Sequence, residues 1–201
     1  MSAADVFIIM DDAPFGSGGF IHRQRIPGPN GPRWLTVPLV KAPMNTRIDW
    51  QRIAPGWTES YIAKLESAYW RSPYWDRYSW SARLAVKGDG NLSELNIRLI
   101  EWLRCFLLVK TPMAYSSCID APGKGSQRVL DICRALNATT YLSGPCGRDY
   151  LDLDAFDAAG ITVEFHDNTI PDYPGKPEDF APSALDLVMN CGPDAWRYIQ
   201  Q

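Results

Sequence analysis

Metal ligands and redox motifs are scarce in this sequence of 201 residues, which has two histidines and five widely spaced cysteines without a CxxC pair. Two histidines exclude a histidine-rich metal site, and the cysteine spacing gives neither a zinc ribbon nor a redox pair. The nucleotide-binding patterns GxGxxG and GxxxxGK[ST] and the hydrolase pattern GxSxG are also absent. We therefore predict no metal and no cofactor, while magnesium held by aspartates alone stays an open alternative.

The chain also lacks an excess of positive charge and any long apolar run. Its formal net charge is −3, whereas proteins that bind duplex nucleic acid need a basic face. No stretch is long enough to span a bilayer, and the short run VFIIM is flanked by acids, unlike a signal peptide. We expect a single domain over residues 1–201 in the reducing cytoplasm, with neither nucleic acid nor membrane as a partner.

Short apolar segments alternate with helical patterns along the chain. Strands are predicted at 5–10, 34–40, 113–119, 139–144 and 161–165, and helices at 61–72, 74–86, 92–108, 127–136, 154–159 and 184–190. This alternation predicts an α/β fold, with a mostly parallel sheet flanked by helices. The aromatic-rich helices at about 57–108 would form an insertion in that fold. Asn91, with Glu94 three residues later, resembles a capping pattern for the helix at 92–108, and Ser126 can cap the helix at 127–136.

One short segment, residues 11–38, concentrates groups that move protons and bind anions. Asp11 and Asp12 follow a predicted strand, where ligand crevices open in parallel sheets, although either acid could instead cap the next turn. His22 can exchange a proton near neutral pH, and the guanidinium groups of Arg23 and Arg25 can bind phosphate or carboxylate. Extended backbone would place both arginines on one face and His22 on the other. The alternative is a solvated, charged loop.

A second polar segment, YLSGPCGRDYL at 141–151, begins in another predicted strand and continues into a glycine turn. A glycine turn of this kind can direct backbone N–H groups toward an anion. Cys146 within it is an alternative nucleophile, and a thiol merely packed in a tight turn is the other interpretation. We assign to substrate binding residues at or just after the ends of two predicted strands, namely Ser117, Ser143, Gly144, Gly147, Asp149 and Tyr150.

Seven segments in order resemble the WbqC-like family. They are ADVFIIMDD (4–12), FIHRQRI (20–26), NGPRWLTVP (30–38), SPYW (72–75), LNIRLIEWL (95–103), YLSGPCGRDYL (141–151) and LDLVMNCG (185–192). The resemblance implies an enzyme of bacterial surface-polysaccharide (O-antigen, lipopolysaccharide) or natural-product gene clusters. We expect a transferase that passes an acyl or aminoacyl group to an amino group of an activated sugar or amino-acid-derived intermediate.

In that reaction His22 would move the proton of the attacking amine and Asp12 would orient or assist it. Asp11, Arg23 and Arg25 would bind the substrate, which we expect to be a nucleotide sugar or a carrier-bound acyl group. The sequence begins at MSAADVF, and we expect it to lack the strand and Gln-Pro loop that usually precede the segment of Asp5 in the family. A non-catalytic ligand-binding or scaffolding protein of the same pathway is therefore the alternative.

Overall fold

A computed structural model describes residues 1–16, 18–88, 90–167 and 169–199. Within these residues the strands are β1 (Phe7–Ile9), β2 (Arg23–Ile26), β3 (Arg33–Thr36), β4 (Met113–Tyr115), β5 (Thr140–Ser143) and β6 (Thr162–Phe165). The helices are α1 (Thr58–Tyr69), α2 (Trp75–Ala85), α3 (Leu92–Leu107), α4 (Ser126–Ala135), α5 (Leu153–Ala158) and α6 (Ala184–Cys191). The predicted strands and helices are thus present with shifted ends, and β2 is an additional strand.

The described chain divides into two compact units. The first unit consists mainly of Ala3–Met10 and Thr111–Ile170, and the second of Asp11–Lys110 together with the chain from Pro171 onward. Each unit has its own cluster of buried apolar side chains. Whether the whole chain behaves as one domain, as the sequence analysis expects, stays a prediction.

The first unit contains two pairs of parallel strands. β1 pairs with β4 in the register Phe7↔Met113, and β5 pairs with β6 in the register Thr140↔Thr162. Helices α4 and α5 bury Leu130 and Phe156 in the core of this unit. Both pairs are parallel, but each has two strands, so the larger and mostly parallel sheet stays a prediction.

Two helix starts in this unit differ in how they are capped. Asp152 caps α5, since its Oδ1 accepts a hydrogen bond of 3.1 Å from the backbone N–H of Ala155. Ser126 was predicted to cap α4, and that prediction is wrong because Gly125 occupies the cap position. The Ser126 hydroxyl instead accepts a 2.8 Å hydrogen bond from the N–H of Asp152 and so fixes the start of α5.

The second unit consists of a β-hairpin and a bundle of aromatic-rich helices. β2 and β3 are antiparallel, with Gln24 opposite Leu35 and Arg25 opposite Trp34. Asn91 caps α3 as predicted, because its Oδ1 accepts a 2.8 Å hydrogen bond from the N–H of Glu94. The core of this unit joins the hairpin to all its helices through side chains such as Ile26, Leu35, Tyr69, Leu95, Val188 and Met189.

The hairpin has an inner and an outer face because successive side chains of a strand alternate between the two. Ile26 and Leu35 are buried on the inner face, which contacts the helices. Arg23, Arg25 and Trp34 occupy the outer face, as the alternation predicts for the two arginines. No helix in the described part of the chain has both the length and the apolar character needed to cross a bilayer.

Candidate functional site

A pocket of about 140 Å³ lies in the second unit, between the hairpin and the helices. Most of its wall is apolar and comes from α1, α2, α3 and β3. The polar side chains of the wall come chiefly from His22 and from Arg23 and Gln24 at the start of β2. The residues that matter most here are Phe20, His22, Arg23, Leu99, Trp102 and Leu185. A small apolar pocket with a few convergent polar groups is the usual form of a ligand site.

The backbone on either side of His22 is fixed by two hydrogen bonds. The Asn96 side chain on α3 donates a 2.9 Å hydrogen bond to the carbonyl oxygen of Ile21. The N–H of Val37 donates a 2.8 Å hydrogen bond to the carbonyl oxygen of His22. Sequence reasoning missed Asn96, although an asparagine directly after the buried Leu95 in the apolar stripe of α3 was a usable signal.

The His22 ring is packed so that its neutral form is favoured. Its Nδ1 atom is buried and has no hydrogen-bond partner among the described residues, and the Phe15 ring packs against it at a centroid distance of 5.2 Å. Burial lowers the pKa of His22 below its usual 6.5, and the positive charge of Arg23 lowers it further. The neutral imidazole therefore predominates at pH 7, and because Nδ1 is buried we assign Nε2 to the contact with a bound molecule.

Arg23 and Arg25 both lie against the Trp34 ring. Their guanidinium carbons are 4.3 Å and 5.2 Å from the ring centroid, within cation–π range. Arg23 also donates hydrogen bonds of 3.3 Å and 3.1 Å to the carbonyl oxygens of Gly19 and Gly18. These two bonds hold the turn at Gly18 and Gly19 in place, so Arg23 has a structural role besides its charge. The sequence analysis did not predict that role. Ser17, which precedes Gly18 in the sequence, lies outside the described residues.

In the described part of the chain these two arginines are not paired with a carboxylate, in contrast to Arg47. Among the described residues, neither Arg23 nor Arg25 has an acidic side chain within salt-bridge distance. Arg47, by contrast, makes two hydrogen bonds to Asp49, at 3.0 Å and 2.6 Å. The outer face of the hairpin thus carries two adjacent, uncompensated positive charges in a chain of net charge −3.

Asp11 and Asp12 belong to an acidic group that includes Asp49. The hydrogen bond to Asp49 is the main reason that the pKa of Arg47 is raised, and the charges of Asp12 and Asp11 raise it further. Asp11 is nearly buried, and its carbonyl oxygen accepts a 2.9 Å hydrogen bond from the N–H of Asp49. The electrostatic effect on His22 comes from Arg23. No group of three or more possible metal ligands occurs among the residues that the structure describes.

In the first unit, the predicted anion-binding turn uses several of its polar groups internally. Ser143 is buried, and its hydroxyl donates a 3.0 Å hydrogen bond to the carbonyl oxygen of Gly144. The N–H of Gly147 donates to the same carbonyl oxygen at 3.0 Å, since residues 145–149 form a 3₁₀ helix. Neither group is therefore directed at a ligand in this conformation. Gly144, Cys146, Asp149 and Tyr150 are exposed around the turn, and Ser117 is exposed in the short 3₁₀ helix Ser116–Cys118.

The sequence-predicted site residues divide between the two units. The second unit brings His22, Arg23 and the pocket together, with Arg25 beside Arg23 on Trp34. Ser117 and the residues of 143–150 belong to the first unit. The sequence analysis assigns residues of both sets to substrate binding, and that assignment stays a prediction.

Comparisons with known proteins agree with the resemblance seen in the sequence. The model of the WbqC-like protein family matches residues 1–198. The chain is 32% identical to the uncharacterized protein Rv1507c of Mycobacterium tuberculosis, an alignment that covers 98% of this chain and 90% of the relative. No solved structure matches the chain significantly. Because the family model covers nearly the whole sequence, the chain belongs to the WbqC-like protein family.

Proposed function

We propose that this chain is a small-molecule transferase that passes an acyl or aminoacyl group to an amino group. The acceptor would be an activated sugar or an amino-acid-derived intermediate of surface-polysaccharide (O-antigen) or natural-product biosynthesis. The observation that carries the proposal is a neutral His22, with Nδ1 buried, in the wall of an apolar pocket beside an uncompensated Arg23. A base of this kind must be unprotonated at working pH to accept a proton.

In the proposed reaction the acceptor amine attacks the carbonyl carbon of the donor's acyl group. The new C–N bond forms as Nε2 of His22 takes the amine proton. The bond from the carbonyl carbon to the leaving group then breaks, and the leaving group keeps the electron pair and takes that proton from His22. For a thioester donor the products are an amide and a thiol, so atoms and charge balance without any oxidant or metal.

The pocket wall and the arginines would bind different parts of the substrates. The apolar wall at Leu99 and Trp102 suits the acyl chain, whose burial excludes water from the reacting carbonyl. Arg23 and Arg25 suit an anionic part of the donor or acceptor. Asp12 acts electrostatically on Arg47, and in the proposed reaction it would also assist His22.

The test is turnover of an amino-sugar nucleotide with an acyl thioester, measured for the wild type, His22→Gln and Asp12→Asn. We expect His22→Gln to reduce the rate by about 10²–10⁴-fold, the usual contribution of a positioned acid–base group. Cys146→Ala is the control for thiol catalysis and should keep its rate. Loss of activity in Cys146→Ala with an unchanged fold would instead favour a covalent thiol mechanism.

A second candidate function is ligand binding without turnover, and one observation favours it. The charged neighbour that shifts the pKa of His22 is the cation Arg23, whereas catalytic histidines are commonly oriented by a carboxylate. Under this function the pocket would bind its ligand with the same affinity in the wild type and Asp12→Asn. No combination of acyl donor and amine would then be turned over.

A further inference from the structure

We propose that the outer face of the β2–β3 hairpin binds the nucleoside diphosphate part of a ligand, at Arg23, Arg25, Trp34 and Phe20. These four residues are called the hairpin patch below. The inference deepens the proposed function and rests on it for the identity of the reacting group. Nucleotide binding itself is measurable without any turnover.

The charges of the hairpin patch favour an anion with two adjacent negative centres. Both guanidinium groups lie against the ring of Trp34, at 4.3 Å from its centroid for Arg23 and 5.2 Å for Arg25. The distance between the two groups therefore cannot exceed the sum of these two values. No described carboxylate lies within salt-bridge distance of either group. A diphosphate neutralises both cations at once, and each guanidinium can donate two N–H groups to phosphate oxygens.

The aromatic part of the hairpin patch favours a planar base next to those phosphates. The Phe20 side chain is 74% exposed, and its ring centroid is 5.8 Å from that of Trp34. A large apolar ring left in water beside two cations offers a stacking surface that any nucleobase can use. An uncharged sugar would leave the two arginines without an anion. A simple inorganic anion would leave the two aromatic rings without a stacking partner.

The pocket explains why the nucleotide would lie outside it. Its volume of about 140 Å³ is below the range of about 300–1,000 Å³ that encloses a drug-sized ligand. Phe20 and Arg23 belong both to the pocket wall and to the hairpin patch. A ligand whose small reactive end lies beside His22 therefore continues past Arg23 onto the outer face, where its diphosphate meets Arg25.

Two kinds of substrate contain this nucleoside diphosphate. One is an acyl donor carried by coenzyme A, whose adenosine bears a diphosphate. The other is a nucleotide-activated amino sugar as the acceptor. Both substrates would place a nucleoside diphosphate on the hairpin patch. The ligands tested must therefore distinguish the donor from the acceptor.

The experiment is titration calorimetry on the full chain with ADP, UDP and coenzyme A, and with adenosine as the probe without phosphate. Arg25→Gln and Trp34→Leu are the test variants, because Arg23 also fixes the glycine turn through Gly18 and Gly19. The matched control is Arg71→Gln. Arg71 lies 4.5 Å over the exposed Trp70, where no second arginine of the described residues packs on the ring, and neither residue lines the pocket.

We expect the wild type to bind at least one of the three nucleotides and to bind adenosine much more weakly. Arg25→Gln should weaken nucleotide binding about tenfold or more, the effect of losing one charge-assisted contact. Trp34→Leu should also weaken it, and Arg71→Gln should leave it unchanged. Tighter binding of coenzyme A would identify the donor as the nucleotide carrier, and tighter binding of UDP would identify the acceptor.

The inference is overturned if no nucleotide binds at millimolar concentration, if Arg25→Gln binds like the wild type, or if Arg71→Gln weakens binding equally. Circular dichroism of each variant shows whether a loss of binding comes from misfolding, and in that case Arg25→Lys replaces Arg25→Gln. Nucleotide binding without turnover of any acyl donor contradicts the proposed transfer alone. Turnover by a chain that binds none of the nucleotides contradicts this inference alone.

Discussion

Replacing Asp186 should separate the effect of a buried charge from that of a buried hydrogen-bond acceptor. Asp186 lies on α6 next to Leu185 of the pocket wall and is 1% exposed. Its Oδ1 accepts hydrogen bonds of 2.9 Å from the Tyr173 hydroxyl and 3.0 Å from the Asn190 side chain. Its Oδ2 is buried without a hydrogen-bond partner among the described residues. The carboxylate therefore organises the helix behind the pocket while its charge is poorly solvated.

The two informative variants are Asp186→Asn and Asp186→Ala. Asn keeps the oxygen that accepts from Tyr173 and Asn190 and removes the charge, so we expect stability at pH 7 to stay equal or to rise. Ala leaves the buried Tyr173 hydroxyl without its acceptor, which costs about 1–3 kcal/mol, and the small cavity adds to that. Asn190 still donates to the Asp186 carbonyl oxygen at 3.0 Å. We therefore expect the Ala variant to be about 2–4 kcal/mol less stable than the Asn variant.

The effect of Asp186 on stability should also depend on pH in a defined direction. Burial raises the pKa of Asp186 above 3.8, and the interactions with the Tyr173, Asn190 and Tyr69 side chains only partly offset this. Because the folded state holds the proton more tightly, its contribution to stability is greatest below pH 3.8 and falls as pH rises toward the folded pKa. The Asn variant has no such fall, so its advantage over the wild type should grow from acid to neutral pH.

Urea unfolding followed by tryptophan fluorescence, at several pH values from acid to neutral, measures these differences. The slope of unfolding free energy against denaturant should stay the same, which shows that stability alone has changed. The reasoning is refuted if Asp186→Asn is destabilised at pH 7 as strongly as Asp186→Ala. It is also refuted if the difference between Asp186→Asn and the wild type does not change with pH.

Three further predictions concern the pocket, the hairpin patch and the fold. Leu99→Trp should fill the pocket and abolish turnover of an acyl thioester while the melting temperature changes little, and unaltered KM and kcat would contradict the assigned pocket. Arg25→Lys keeps the charge but loses the two-pronged donor, so calorimetry should show ADP binding weakened about tenfold, equivalent to about 1.4 kcal/mol. Gly192→Ala would place a Cβ in the Tyr74 ring at a φ of +55°, and we expect thermal unfolding to show a loss of about 3 kcal/mol. Wild-type stability in that variant would contradict the close contact of Gly192 with Tyr74.

Most helices and strands could be predicted from the sequence because their apolar residues recur with a local period. The stripe of Leu92, Leu95 and Leu99 and the Asn91 cap predicted α3 almost to the residue. β2 was not predicted because His-Arg-Gln-Arg lacks apolar alternation, and its strand character depends on pairing with β3. Pairing between distant strands is not encoded in local periodicity, so the extent of the parallel sheet could not be derived from it.

The site was predicted only where its residues are close in sequence. His22 and Arg23 were recognised because they are adjacent, and the structure places both in the pocket wall. Asn96 and Trp102 were missed as site residues because α3 reaches the pocket only through tertiary packing. Asp186 was missed because an isolated acid in an apolar helix gives no sign of burial. The internal hydrogen bonds of Ser143 depend on backbone geometry, which composition does not reveal.

The proposed role of His22 as the base is tested most directly by the pH dependence of kcat/KM for acyl transfer. The rate should rise with pH through an apparent pKa below 6.5, since burial and Arg23 lower the pKa of His22, and should then level off toward neutral pH. In His22→Gln that rise should disappear together with most of the activity. A His22→Gln variant that keeps the wild-type rate and the same pH profile would contradict the account.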